Sequence, residues 1–316
     1  TGNGFNFEAV NGAELTAHLD TVAATGNAGY GIRFDASGAG TDTLLLMQGT
    51  NDISGNTAGN YSLNYNGVDN AIVTLTGSFN NSGTSGVEVD ITNVTNAFVS
   101  ILGNGTTDTI DNNALHGVDV NITGAQQAGV VVSGYSSISD NGLDGINIVL
   151  EDITVAGAVD ILGIPTTLTD MFDNGEDGVD VSFINSAMGP VDGAALTGTL
   201  PIITIGSNVA GILNDCLPLP VDVTIDDVAA LPTSDGLLVQ DLNIAQTVAA
   251  PADPTLNGIE ITLDGVTGTG IVAVANNVIA DMYGNGIYTT VTNNSDLTGA
   301  VYSNNTISGN LFGDGV

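Results

Sequence analysis

The sequence predicts an all-β chain folded as a parallel β-helix, a solenoid of about 11 coils with about 28 residues and three short strands per coil. One corner sequence recurs along the chain: an Asn, a few small or acidic residues, a Gly and then an alternating apolar run. The runs are rich in β-branched residues, and 43 glycines would interrupt any sustained helix. Self-similarity at a fixed period indicates one unit stacked many times.

The period is read from the first apolar residue after each corner glycine. Successive spacings run from 22 to 33 residues, so the turns accept insertions while the strands are kept. Tyr61, Ile212 and Leu237 are included on spacing more than on motif. The predicted coil starts are Phe5, Ile32, Tyr61, Val87, Val118, Ile146, Val179, Ile212, Leu237, Ile259, Ile287 and Val316.

Each coil is predicted to contain three strands in a fixed order. The first alternates apolar and polar residues, as in residues 118–122, so that one face is buried. The second is more continuously apolar, as in residues 129–132, and the third is short and leads to the next corner, as in residues 137–141. An antiparallel sandwich also has alternating strands, but it gives no reason for one corner sequence at one period.

The corner residues have a structural function in this prediction. Gly and Asn reach the positive φ that a sharp bend requires. Asn side chains at equivalent corners, ~4.8 Å apart along the axis, are placed to hydrogen-bond to one another as a ladder. We expect such a ladder, and no catalytic function, for Asn27, Asn56, Asn81, Asn113, Asn141, Asn174, Asn285 and Asn310.

Two stretches carry a resemblance to a known group of repeats. Residues 304–310 read NNTISGN and residues 313–316 read GDGV, while residues 137–146 read SISDNGLDGI. These phrases resemble the right-handed parallel β-helix repeat family, and the resemblance implies right-handed winding. That family includes pectin-active enzymes, phage tailspikes, adhesins and surface-layer proteins, so it implies an architecture and no single activity.

The chain is predicted to form a single solenoid over residues 1–316. Its least regular part, around residues 185–256, contains seven of the eight prolines. Because proline cannot donate to a strand ladder, we expect distorted coils or loops there. No capping repeat is recognisable at either end, so we expect a segment of a longer β-helix or a unit that stacks end to end.

The charge balance excludes several functions. The chain has 35 acidic residues, a single basic one at Arg33, and a net charge of −34. Direct binding to nucleic acid or to an anionic membrane is excluded by this charge, and no apolar span predicts membrane insertion. High salt or millimolar calcium would screen the repulsion. A chain with one trypsin site in such an environment is predicted to be extracellular or on the cell surface.

Carboxylates on the first strands predict cation binding. If the coils stack in register, several of them lie on one outward face at strand spacing and repel one another unless a cation lies between them. Calcium, which takes several oxygen ligands in flexible geometry, suits such a set. A merely solvated acidic face is the alternative. The predicted metal ligands are Glu88, Asp90, Asp119 and Asp180 on the strands, with Asp140, Asp144, Asp173 and Asp177 in the turns.

An enzymatic function is not predicted. A lyase mechanism needs Arg or Lys, and the chain offers only Arg33, with Asp35 on the same strand face to pair with it. A hydrolase needs a carboxylate pair, for which Asp226 and Asp227 are the candidates. The Gly-His-Gly and Arg-x-Lys elements that accompany such a pair in polygalacturonases are missing, and His116 lies at a variable turn position. We assign no catalytic or cofactor-binding residue.

The sequence thus predicts an extracellular structural protein, a β-helical building block of a surface filament, sheath or large adhesin, stiffened by bound Ca²⁺. Its predicted partners are further copies, neighbouring segments of the same chain, or polysaccharide. The alternative is a carbohydrate-binding or carbohydrate-cleaving β-helix. With 5% aromatic residues and no Trp, an aromatic platform for sugars is thin.

Overall fold

The computed structural model describes residues 2–11, 13, 15–38, 42–191, 203–206, 236–247, 256–311 and 313–315. These residues form 25 strands and contain no helix that could cross a membrane. All strand pairs are parallel, and the strands stack as a β-solenoid with three sides. The predicted fold class is confirmed.

Sheet A contains the first strand of each coil. The first apolar residues of successive coils stand opposite one another, from Phe5 opposite Ile32 to Ile259 opposite Ile287. Its strands are β1 (Phe5–Val10), β3 (Tyr30–Ser37), β5 (Gly59–Asn66), β7 (Val87–Thr92), β9 (Val118–Thr123), β11 (Ile146–Glu151), β14 (Val179–Ile184), β19 (Ile259–Asp264) and β23 (Ile287–Thr292).

Sheets B and C form the other two sides. Sheet B contains β2 (Leu15–Asp20), β4 (Asp42–Gln48), β6 (Asn70–Thr76), β8 (Asn96–Leu102), β10 (Gln127–Ser133), β12 (Ala156–Leu162), β15 (Ala187–Met188), β16 (Ile203–Gly206), β17 (Gly236–Gln240), β20 (Thr267–Gly268), β21 (Ile271–Ala275) and β24 (Gly299–Ser303). Sheet C contains β13 (Thr169–Phe172), β18 (Leu242–Ala245), β22 (Val278–Ala280) and β25 (Thr306–Ser308). In earlier coils the third side is reduced to single bridges, such as Thr109 to Ser137.

The predicted number of coils was too high for the described part of the chain. Sheet A has nine strands, which make eight turns, and Val179 pairs directly with Ile259. The predicted coil start at Leu237 belongs to sheet B instead, where it stands opposite Val159. The predicted starts at Ile212 and Val316 lie outside the described residues.

One coil therefore contains the irregular region predicted around residues 185–256. The chain forms β15 beside Gly157 of β12, leaves the sheet, and returns as β17 beside residues 159–162 of the same strand. β15 and β17 thus share one strand position, so the solenoid continues across the insertion. Of the inserted residues, 203–206 form β16, which pairs with β2, while residues 192–202, 207–235 and 248–255 lie outside the described part.

The two large sheets differ in how they are buried. Strands of sheet A alternate, with inward residues such as Val89 fully buried and outward ones half-buried. Sheet B is buried on both faces, because outward residues such as Ile72, Phe98 and Val131 are no more than 3% exposed although they lie outside the core cluster. The outer face of sheet A is therefore where charged side chains meet solvent.

The predicted Asn ladder is confirmed over much of the solenoid. Asn113 donates its backbone N–H and its side-chain amide to Asn141 Oδ1 (3.1 and 2.9 Å). Asn141 bonds to Asn174 in the same way (3.1 and 3.0 Å). The prediction was wrong for Asn81, which takes a positive φ of 56° at the turn while Ser82 donates its N–H to Asn113. It was also wrong for Asn310, whose side-chain amide donates to the carbonyl of Asp314 (2.9 Å).

Candidate functional site

The outer face of sheet A presents a row of carboxylates. The register of sheet A aligns one residue from each of five successive strands on this face. In order along the solenoid they are Glu88, Asp119, Asn147, Asp180 and Glu260, each opposite the next. We call Glu88, Asp119, Asp180 and Glu260 the carboxylate stripe. The sequence analysis placed Glu88, Asp90, Asp119 and Asp180 on one face, and the structure has all four on this face.

At the N-terminal end of the stripe, the predicted ligands Glu88, Asp90 and Asp119 lie close enough to interact. Burial raises the pKa of Glu88, and the charges of Asp90 and Asp119 raise it further. Burial likewise raises the pKa of Asp90, with Asp119 adding to the shift and a hydrogen bond from Asn121 opposing it. Asp90 and Asp119 thus disfavour the ionisation of Glu88, and Asp119 disfavours that of Asp90.

Beside the stripe, a hydrogen-bonded column follows the corner of the solenoid. Asp177 donates its backbone N–H to Asp144 Oδ1 (2.7 Å), and Asn257 donates its N–H to Asp177 Oδ1 (2.6 Å). Asn285 continues the column by donating to Asn257 Oδ1 (2.8 Å). At the N-terminal end of the column, His116 Nδ1 lies 3.1 Å from Asp144 Oδ2. Asp144 and Asp177 are buried, so the column has carboxylates at corners where later coils have Asn.

Asp177 is the most strongly perturbed group of this column. Its pKa is raised to about 9, mainly by burial; the hydrogen bond from Asn257 opposes the shift, and the neighbouring Asp144 and Glu260 add to it. Asn257 also donates its side-chain amide to Glu260 Oε2 (2.7 Å). The raised pKa favours the protonated form of Asp177 at neutral pH, in which its carboxyl group hydrogen-bonds to Glu260.

Asp180 and His116 complete the cluster. Burial raises the pKa of Asp180 to about 7, with the charges of Asp144 and Glu260 adding to the shift and His116 opposing it. The Oδ1 atom of Asp180 is buried and accepts no hydrogen bond from a described residue. Burial lowers the pKa of His116, but the hydrogen bond to Asp144 and the charge of Asp119 outweigh burial and raise it overall.

The other two predicted turn ligands lie apart from this cluster. Asp140 and Asp173 take positive φ values of 57° and 54° at the preceding bend. The carboxylate of Asp173 accepts hydrogen bonds from the backbone and hydroxyl of Thr247. In each turn pair, 140 with 144 and 173 with 177, the first residue thus lies at a bend near the surface and the second in the buried column.

The cluster fits a closed calcium site poorly. Carboxylate oxygens are the ligands that calcium prefers, but Asp144 Oδ1 and Asp177 Oδ1 already accept backbone N–H groups. In the part of the chain that the structure describes, no three His, Cys, Asp or Glu side chains form a metal-binding group. The arrangement is suited to holding cations along the stripe by charge.

Three members of the cluster were not among the predicted metal ligands. Glu260 is separated from Asp180 by the insertion, although each is the second residue of an alternating strand after a Gly. His116 and Glu176, whose charges act on Asp180, lie in the turns before β9 and β14. For His116 the sequence contains a signal, namely its position relative to the corner glycine. His116, Asp144 and Asp177 each directly precede that glycine.

Of the two pairs of candidate catalytic residues, only Arg33 and Asp35 lie in the described part of the chain. The predicted pairing of Arg33 with Asp35 is confirmed, with a distance of 2.7 Å between Arg33 Nε and Asp35 Oδ2, and the guanidinium also lies 5.8 Å from the centre of the Tyr30 ring. Asp226 and Asp227 lie outside the described residues.

The chain was compared with known proteins at the level of families, sequences and folds. No protein-family model matches it, and neither a curated protein nor a solved structure is significantly similar to it. A function therefore has to be argued from the geometry of the solenoid.

Proposed function

We propose that this chain is an extracellular structural protein, a β-helical building block of a surface filament, sheath or large adhesin. The observation that carries the proposal is the open edge of the last described coil. Among the described strands, β23, β24 and β25 each pair on one side only. A parallel edge with unpaired backbone groups is a template for further strands. The proposal assigns the chain no catalytic activity.

The backbone direction at this edge suits stacking. Ile259 donates its N–H to Gly286 of the coil above (3.0 Å), and Ile287 stands opposite Ile259. Because alternate residues of a parallel strand bond to opposite neighbours, the N–H groups of Thr289 and Val291 face away from β19. A coil stacked on β23 would receive these bonds.

Apolar side chains are exposed at the same edge. Val291 is 51% exposed and Tyr302 is 36% exposed, whereas their counterparts one coil below, Leu263 and Val274, are fully buried. Leu311 is 58% exposed. Covering these side chains with another coil contributes about 25 cal/mol for each Å² of apolar surface removed from water, which favours association.

The opposite end presents a different surface. β1 has no partner on its outer side among the described strands, and its Phe5 and Phe7 are only half-buried. In sheet B the outer edge of β2 is occupied by β16, with Ile203 opposite Ala17. A neighbouring coil at this end would pair with β1 in sheet A, whereas the position beside β2 in sheet B is already occupied by β16. The partners in our proposal are second copies or neighbouring β-helical segments of the same chain.

Cations and location belong to the same proposal. A net charge of −34 opposes the close approach of two copies. Calcium or another divalent cation along the carboxylate stripe would lower that cost. An extracellular setting supplies such cations. Because the chain has one Lys or Arg, trypsin-like proteases have a single cleavage site in it.

The test is negative-stain electron microscopy of the purified chain in millimolar calcium. We expect long unbranched fibres with an axial repeat of about 43 Å, from the nine strands of sheet A at ~4.8 Å each. A Val291→Lys substitution places a charge in the stacked interface and should shorten the fibres or abolish them.

Val155→Lys is the matched control. Val155 is 62% exposed, but it lies in a turn on the side of the solenoid. This variant has the same change of size and charge and should form normal fibres. Discrete short rods from the wild-type protein, or fibres lost equally in both variants, would contradict stacking through β23.

A further inference from the structure

The N-terminal edge of sheet B is closed by a strand that comes from a distant part of the chain. β16 lies along the outer side of β2, with Ile203 opposite Ala17 and Gly206 opposite Asp20. The coil from which β16 comes continues beside β12 from β15 to β17 without it. Release of β16 from β2 would therefore leave the ladder of coils unbroken.

The neighbouring edge of sheet A is open. Among the described strands, β1 pairs with β3 alone, although it belongs to the same coil as β2. The two sheets therefore differ by one strand position along the solenoid. Sheet A has nine positions, from β1 to β23, whereas the path of sheet B from β16 to β24 has ten.

This difference prevents two unchanged copies from stacking on both sheets. At ~4.8 Å for each position, one copy occupies about 43 Å along sheet A and about 48 Å along sheet B. If β23 pairs with β1 of the next copy, β24 arrives at the position beside β2 that β16 already holds. If β24 pairs with β16 instead, β23 and β1 lie one strand position too far apart for hydrogen bonds.

We propose that β16 is an autoinhibitory strand, which blocks end-to-end stacking until it leaves β2 and β24 of a second copy takes its place. This inference rests on the proposed structural function, because it concerns the same stacking interface. The exchange replaces the four residues of β16 with the five of β24, and it also lets the six of β23 pair with β1. It covers the exposed side chains of Val291 and Tyr302 as well.

The competition between the two strands depends on protein concentration. β16 is tethered to β2 through its own chain, so its effective concentration at that edge does not change on dilution. A second copy competes better as the protein becomes more concentrated. Dilute copies thus stay separate, and stacking begins once β24 of another copy displaces β16.

A disulfide between β16 and β2 tests the block. His18 and Thr204 stand opposite one another, and the ~4.8 Å between adjacent strands lies within the Cα separation that a disulfide spans. The variant is His18→Cys/Thr204→Cys with Cys216→Ser, since Cys216 is the one natural cysteine. When oxidised, it should form fibres at least tenfold more slowly than the wild type in light scattering. Reduction with dithiothreitol should restore the wild-type rate.

The matched control is Ser182→Cys/Thr262→Cys with Cys216→Ser, which joins β14 and β19 at opposite positions of sheet A. These two strands stay paired whether or not copies stack, so oxidation should leave the rate of fibre formation unchanged. Two results for the oxidised β16 variant would overturn the proposal: fibres that form at the rate of the control, or fibres with an axial repeat of about 48 Å, which would mean that β24 stacks on β16.

Hydrogen exchange separates this inference from the proposed function. Ile203→Pro/Ile205→Pro removes backbone donors from β16. In a dilute sample, the amides of residues 15–20 that face β16 should exchange at least tenfold faster in this variant, and at higher concentration its fibres should appear sooner than those of the wild type. Unchanged exchange would overturn the inference even if the wild type forms fibres. Faster exchange without fibres from either protein would contradict the proposed function, and the inference with it.

Discussion

At the scale of single residues, buried amides connect the coils. Asn141 is 2% exposed and all of its polar groups are used. Its Oδ1 accepts from Asn113, its side-chain amide donates to Ile110 and Asn174, and its backbone N–H also donates to Asn174. Such a residue stabilises the fold mainly because its removal leaves several buried partners unsatisfied.

We therefore expect Asn141→Ala to lower the free energy of unfolding by at least about 2 kcal/mol, since each unsatisfied buried group costs roughly 1–3 kcal/mol. Chemical denaturation monitored by circular dichroism measures the change. Asn64→Ala, at an exposed position of β5, is the control and should change stability by less than about 0.5 kcal/mol. Similar stabilities for the two variants would show that the ladder is not a major source of stability.

Asp177 makes the stability of the fold depend on pH. Its ordinary pKa of 3.8 is raised to about 9 in the folded chain, so the folded state binds a proton that the unfolded state releases. The resulting stability is present near pH 4 and is lost as the pH rises towards 9. Asp180, with a pKa of about 7, contributes in the same direction.

Asp177→Asn tests this linkage, because Asn resembles the protonated carboxyl and is the residue that Asn257 and Asn285 supply in the same column. The wild-type Tm should fall by at least about 4 °C between pH 5 and pH 9, and that of the variant by clearly less. Asp69→Asn, at an exposed turn, should keep the wild-type slope. A variant slope equal to that of the wild type would mean that Asp177 is ionised in the folded chain.

At the scale of elements, the sequence predicted the strands better than the connections. Alternation fixed the register of sheet A, because every inward position must be apolar to fill the core. The coil count was wrong because spacing cannot tell a coil start from a strand such as β17 that re-enters sheet B. Glu260 was not included among the predicted ligands, since the insertion separates it from Asp180 in sequence while they are neighbours in the sheet.

The two-sided burial of sheet B also explains why the charges lie where they do. Its outward positions are apolar, as at Phe98 and Val131, so few of them carry a carboxylate. Sheet A has one solvated face, and there the outward positions are free to carry Glu and Asp. The carboxylate stripe thus lies on sheet A because the outer face of sheet A is solvated, whereas that of sheet B is buried. In the sequence, this difference corresponds to the more continuously apolar second run of each coil.

At the scale of the whole molecule, the net charge of −34 sets the conditions in which the solenoid is stable. Like charges at strand spacing destabilise the compact state, and mobile ions screen them. We expect the Tm to rise with NaCl between 10 mM and 1 M. At constant ionic strength, 5 mM calcium should raise it further, because a divalent cation is held between neighbouring carboxylates more strongly than a monovalent one.

The position of the bound cations can be tested by neutralising the stripe. If calcium is held there, replacing its four carboxylates by amides should remove most of the additional rise in Tm, whereas neutralising four carboxylates elsewhere should leave it. The control positions are exposed and distant from the stripe: Glu8, Asp20, Asp69 and Asp152. Both variants remove four carboxyl groups, so a general effect of charge would appear in both. Equal loss of the calcium effect would mean that the cation acts on the whole acidic surface, and an unchanged Tm after chelation of calcium from the wild type would remove calcium from the proposed function.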